Sequence, residues 1–167
     1  MTQLRTERIA VGAVFTALAL ILSYVESMIP VIFPVPGMKL GLTNLLIVFA
    51  LYYWDGKQAF VINVMRILLV GFLFGNAFSI VYSLCGGVLS FIIMMLMKRS
   101  GKFSMVGVSM AGGIFHNVGQ LIAAIIAVSN TKLIYYLPPL LVSGVVTGFL
   151  IGILSSEIYK RIKKIRG

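Results

Sequence analysis

The chain has 167 residues, of which 60% are hydrophobic and only 11% charged, and its mean hydropathy is +1.06. This excludes a water-soluble globular protein and indicates an integral membrane protein, with room for six helices at about 20 to 25 residues each. The net charge of +10 does not point to nucleic acid, because the basic residues punctuate apolar segments and do not gather on a soluble face.

Arg5 and Arg8 precede an apolar run from Ile9 to Ile29 that is too long for a signal-peptide core and lacks a small-x-small cleavage site, so it reads as the first span. Pro30 to Gly37 (PVIFPVPG) is a stiff non-helical loop. Span two is expected over Lys39 to Tyr53, ending at WDGK (Trp54 to Lys57), and span three over Gln58 to Phe72, with GFLFGN (Gly71 to Asn76) as the turn that follows. Both are short for a full crossing, which implies tilt or local thinning. Spans four, five and six are expected over Ala77 to Met97, Met105 to Val128 and Ile134 to Tyr159, separated by KRSGK (Lys98 to Lys102) and SNTK (Ser129 to Lys132). The expected fold is an all-α integral membrane protein, a single domain of six transmembrane helices over residues 1–167.

Charge sets the expected sidedness. Of fourteen basic residues, all but Lys39, Arg66 and Lys132 fall on one side of this alternating topology: Arg5, Arg8, Lys57, Lys98, Arg99, Lys102, Lys160, Arg161, Lys163, Lys164 and Arg166. The positive-inside rule therefore puts both termini in the cytoplasm, and the basic tail rests on anionic headgroups of the membrane lipids. Localisation is expected in the cytoplasmic membrane of a prokaryote.

The basic residues outside that pattern point to function, since a charge within hydrocarbon is costly and is retained for a reason. Glu26 ends span one and Lys39 opens span two, so the two can form a rim ion pair or line a binding site; Asn44 lies about one and a half turns below Lys39. Arg66 sits mid-span with Asn63 three residues before it on the same face. It either ties helices together through carbonyls and amides or meets an anionic ligand. Of the four carboxylates in the chain, only Glu26 lies outside the cytoplasmic edge, which leaves Arg66 with no evident protein counter-ion.

Span five carries Ser109, Gly112, His116 and Gln120 along one face with Asn117 beside them, a group of donors and acceptors suited to orienting a polar ligand. Span four adds Asn76, Ser79, Tyr82, Ser83, Gly86 and Ser90, a face that suits helix packing, with Tyr82 a candidate for an apolar or aromatic ligand body. Gly144, Gly148 and Gly152 in span six read as a close-contact face, and Ala10, Ala13 and Ala17 form a weaker small-residue pattern in span one.

KLGLTN (Lys39 to Asn44), the Arg66 segment ending in LFGN, YSLCGG (Tyr82 to Gly87), GIFHNVGQ (Gly113 to Gln120), YLPPLL (Tyr136 to Leu141) and SGVVTG (Ser143 to Gly148) together resemble the Gx transporter family, also labelled heptaprenyl diphosphate synthase component I. That family is in turn similar to the substrate-binding S components of energy-coupling factor transporters. The resemblance implies a six-helix substrate-capture protein for a vitamin-like or precursor solute, binding toward the outer side beneath a closing loop. By that analogy Pro30 to Gly37 is the lid. Ala10, Ala13 and Ala17 would face an energising complex of a transmembrane subunit and ATPases.

The residues speak against catalysis. Chain-elongating prenyl transferases hold a diphosphate through Mg2+ bound by clustered carboxylates, and this chain has one Asp, Asp55, and no Asp-rich motif. It has no Walker A loop, no Ser/His/Asp arrangement and no Cys/His metal spacing; the lone Cys85 lies in an apolar segment. No enzyme activity, cofactor or metal is expected. The expected substrate-binding residues are Glu26, Lys39, Asn44, Asn63, Arg66, Asn76, Tyr82, His116, Asn117 and Gln120, for a ligand with an anionic end. The alternative is a non-catalytic membrane subunit of a prenyl- or quinone-synthesis or extracellular redox assembly. In that role the Gly144 to Gly152 face and the small-residue side of span four would meet a partner.

Overall fold

A computed structural model describes residues 2–28 and 41–166. They form six α-helices and one 3-10 helix, with no strand among the described residues: α1 (Thr2–Met28), α2 (Leu42–Tyr53), α3 (Gly56–Phe74), α4 (Ala77–Ser100), α5 (Met105–Val128), the 3-10 helix Thr131–Tyr136, and α6 (Leu137–Arg166). Lys39 and the Pro30 to Gly37 loop lie outside the described residues.

Polar caps set the boundaries. The Asp55 side chain accepts from Gln58 N at 2.8 Å and starts α3, and Ser104 accepts from Gly107 N at 3.1 Å and starts α5. At the α3–α4 corner, Asn76 Oδ1 accepts from Ser79 N at 2.8 Å while Ser79 Oγ accepts from Asn76 N at 2.9 Å, a reciprocal box that satisfies two otherwise orphaned donors. Gly101, at φ 68°, ends α4 in the left-handed region that glycine tolerates.

Five of the helices are long and apolar enough to cross a membrane, and the chain is a multi-pass membrane protein. Large apolar side chains point outward, among them Phe72 at 77% exposure and Ile126 at 72%, as expected where the surroundings are lipid. Helix α1 begins at Thr2, ahead of the expected first span, whose start at Ile9 agrees with the apolar stretch Ile9–Glu26. Elsewhere the structure corrects the expected boundaries. Helix α3 extends from Gly56 to Phe74, long enough to cross, because only Gly75 and Asn76 form the turn. The stretch before α6 is a 3-10 helix through Tyr136, and Pro138 and Pro139 then occupy the first turn of α6, where their missing N–H groups cost nothing.

Helix α2 is the exception to six spans: its 12 residues extend about 18 Å, against about 30 Å of hydrocarbon. It is buried instead, with Ile47, Val48, Ala50 and Leu51 packed on Ala59 and Ile62 of α3, Phe91 and Met94 of α4, and Met105 and Val108 of α5. Its ends are tied from outside. Ser155 Oγ of α6 donates to Leu45 O at 3.1 Å, and Lys98 Nζ of α4 donates to Leu51 O while lying 5.2 Å from the centre of the Tyr52 ring.

Helices α4, α5 and α6 pack backbone to backbone. A Cβ added to Gly144 would meet Gly113 C and O at 2.8 Å, and one added to Gly152 would meet Val106 Cα at 2.8 Å. On the other side of α5, a Cβ on Gly119 would lie 2.8 Å from Gly86 Cα. The glycine face of α6, and Gly86 with Ser90 on α4, are thus spent on α5 within the chain.

Candidate functional site

The packing leaves a cavity of about 190 Å3 to which all six α-helices contribute. It extends from mid-height of the bundle, at Arg66, His116 and Thr147, to the end where α1 finishes at Glu26, α2 starts after Gly41, and Gly75 joins α3 to α4. Hydroxyls and amides dominate its polar lining: Ser23, Thr43, Asn44, Ser79, Ser83, Asn117, Gln120 and Thr147. Ile67, Val70 and Phe74 supply the apolar part.

Arg66 is the cation of this site, and its position follows from Asn63 one turn earlier on α3. The Asn63 side chain is 2% exposed; its Nδ2 donates to Gly87 O of α4 at 3.1 Å, which fixes which end of the amide is oxygen. Asn63 Oδ1 is then left to accept from Arg66 Nε at 3.1 Å and Nη2 at 3.0 Å. Nη2 also approaches Asn44 Oδ1 of α2 at 3.4 Å. Nη1 makes no hydrogen bond among the described residues, so two of the five guanidinium donors remain for whatever enters the cavity.

Glu26 is buried, 7% exposed, lines the same cavity, and lies within electrostatic reach of Arg66. It accepts a hydrogen bond from Gly41 N, the residue at φ 73° that turns the chain into α2. This corrects the expectation that Arg66 has no carboxylate nearby. Both charges face the same space.

On α5, the Asn117 side chain donates to Leu140 O of α6 at 2.7 Å, so its amide nitrogen serves the fold while the residue also lines the cavity. Gly86 makes room for this segment: a Cβ there would lie 2.8 Å from His116 O and 3.3 Å from His116 Cε1. The small face of α4 therefore seats the polar residues of α5 beside the cavity.

Of the ten expected site residues, the cavity brings together Glu26, Asn44, Arg66, His116, Asn117 and Gln120. Asn63 stands behind Arg66 and orients it. Asn76 is an exposed helix cap, and Tyr82 stacks on Phe78 with ring centres 5.9 Å apart; neither lines the cavity. Lys39 lies outside the described residues. Sequence reading missed Ser23 and Thr43, whose hydroxyls join α1 to α2 at 2.8 Å; the spacing of Ser23 and Glu26 along one helix face was the available signal.

The family model described as heptaprenyl diphosphate synthase component I matches residues 15–158. The chain belongs to that family. Every lining residue of the cavity, from Ser23 to Thr147, falls inside the matched region. No curated protein and no solved structure matches the chain.

Proposed function

We propose that this component I protein is a substrate-capture membrane transport protein for a small, vitamin-like or precursor solute with an anionic end. The observation that carries this reading is Arg66, held at mid-height on a cavity wall by two neutral amides with Nη1 uncommitted among the described residues. A guanidinium kept for stability alone would have its donors filled; one with a free edge beside a polar cavity suits a carboxylate or phosphate. His116, Asn117 and Gln120 with Asn44 would orient the rest of the solute.

In this reading the whole chain is a single domain, not an enzyme, in the cytoplasmic membrane of a prokaryote. Its termini face the cytoplasm by the positive-inside rule, and the cavity opens outward. An energising complex would dock on α1, where Ala10, Ala13 and Ala17 are exposed. The assembly-subunit alternative, which the name of the family invites, loses much of its proposed contact surface, since the glycine face of α6 and Gly86 and Ser90 of α4 are covered by α5.

Titration of the purified protein with a panel of vitamins and precursors tests the reading. Binding that is lost in Arg66→Ala and His116→Ala supports it; unchanged affinity for every hit in both variants rejects the site.

A further inference from the structure

A second space lies on the outside of the bundle, between α1 and α3 at the end where both helices begin. It is an apolar groove of about 560 Å3 that shares no lining residue with the Arg66 cavity. Ile9 and Gly12 form one wall, Val61 and Met65 the other. Its one lining hydroxyl, Thr16, donates to Gly12 O at 2.9 Å within its own helix, so this stretch presents hydrocarbon. A Cβ added to Gly12 would meet nothing within 4 Å. Packing among the described residues therefore gives no reason for a glycine that weakens a helix interior, whereas a body from outside the chain lying close along α1 does.

Polarity is confined to one end of the groove. Lys57 and Gln58 line it in the first turn of α3, beside Trp54, whose ring packs edge-on against Phe15 of α1 with centres 4.5 Å apart. Lys57 makes no ion pair among the described residues, and neighbouring Asp55 is committed to the cap of α3 through Gln58 N. On α1, Arg5 and Arg8 occupy positions one turn before Ile9 and Gly12, whereas Glu7 falls on the opposite side of that helix. Three cationic positions thus gather at the mouth of a hydrocarbon-lined groove, at the level where a tryptophan marks the membrane interface.

We propose that this groove holds an anionic glycerophospholipid, its phosphate at Lys57 and the start of α1, with one acyl chain lying along Gly12 and Val61 toward Met65. From Lys57 to Met65 is about 12 Å along α3, most of the roughly 15 Å that one leaflet's hydrocarbon provides, so the groove has the length as well as the polarity profile of a lipid chain. A partner helix would match the apolar walls alone; cations at headgroup level select for phosphate. Ala10 and Ala17 lie off the groove, so a lipid there leaves most of the alanine face of α1 open.

The test uses the purified full-length protein, delipidated in detergent, with bound lipid counted by native mass spectrometry. It is titrated with phosphatidylglycerol, with phosphatidylcholine of the same acyl chains, with glycerol 3-phosphate and with farnesyl phosphate. Phosphatidylglycerol should bind at least about tenfold more tightly than phosphatidylcholine. Lys57→Gln should cut that preference to less than about threefold, and Gly12→Leu, whose side chain starts in open space, should weaken both phospholipids at least about fivefold. The lysine comparison stands if Gly12→Leu fails to fold. Equal affinity for the two phospholipids, or an unaltered preference in Lys57→Gln, would overturn the proposal. Glycerol 3-phosphate binding as tightly as phosphatidylglycerol would show that no chain is held, and tighter binding of farnesyl phosphate would give the groove to an isoprenoid. If neither phospholipid binds and Gly12→Leu instead strips a membrane protein from preparations of native membranes, the groove belongs to a partner helix.

Discussion

Asn63 aims Arg66. By donating to Gly87 O at 3.1 Å, the amide presents its oxygen to Nε and Nη2 of the arginine one turn later, so a contact between α3 and α4 decides where a buried cation points. A guanidinium at mid-membrane is tolerable only with such acceptors, and the neutrality of Asn63 is what leaves the positive charge available.

Asn63→Asp is therefore expected to be more damaging to binding than to folding. The new carboxylate would pair with Arg66 and cancel its charge, while Gly87 O would lose its donor at a cost of about 1–3 kcal/mol. Anion binding should fall by at least about tenfold, measured by titration, with thermal unfolding in the same detergent lowered only modestly. Asn63→Ala should unfold more easily than Asn63→Asp, because it leaves both Gly87 O and two Arg66 donors unmatched.

Lys98 holds the end of the short central helix. Its ammonium donates to Leu51 O at the C-terminal turn of α2, where carbonyls lack intrahelical partners, and lies over the Tyr52 ring. Lys98→Met keeps the apolar stem and removes both interactions, so a loss of about 1–2 kcal/mol is expected, while Arg99→Met on the exposed side should be near neutral. Paired unfolding curves of the two variants check this.

The glycines separate into two groups that a substitution series can tell apart. Gly144→Ala would drive a methyl into the Gly113 backbone and should cost about 1–3 kcal/mol or more, because backbone cannot step aside as a side chain can. Gly12→Ala has nothing within 4 Å of the new methyl and removes a helix-interior glycine, so it should stabilise by up to about 1 kcal/mol. Equal unfolding temperatures for the two variants would contradict the α5–α6 contact described above.

Much of this was readable from residue patterns, and the failures have physical causes. The turn residues Asp55, Asn76 and Gly101 marked helix boundaries because their caps are local chemistry. Arg66 and the His116 to Gln120 group stood out because polarity in an apolar segment is costly. What could not be read was which helix faces meet. Spacing placed Tyr82 and Ser83 equally well on α4, and only the packing against α5 shows that Ser83 reaches the cavity while Tyr82 turns to Phe78. Likewise Glu26 could be assigned to a rim pair from sequence, since its nearness to Arg66 depends on how α1 crosses α3.

Helix α1 provides the last test, because its part in stability and the docking role proposed for it are separable. Only 11% of the window from Ile9 to Glu26 is buried, and Ala10, Ala13 and Ala17 are exposed, so their small size is not required by any packing described within the chain. An exposed helix surface facing lipid would tolerate larger apolar residues, whereas a surface that meets another protein helix closely would not. Ala13→Leu and Ala17→Leu together are thus expected to leave the unfolding temperature and the ligand affinity of the purified protein unchanged. In membranes from the native source, the same double variant should co-purify with transmembrane and ATPase subunits at less than about a tenth of the wild-type yield. Undiminished co-purification would place the docking surface elsewhere, and a lowered unfolding temperature would show that the alanines serve the fold itself.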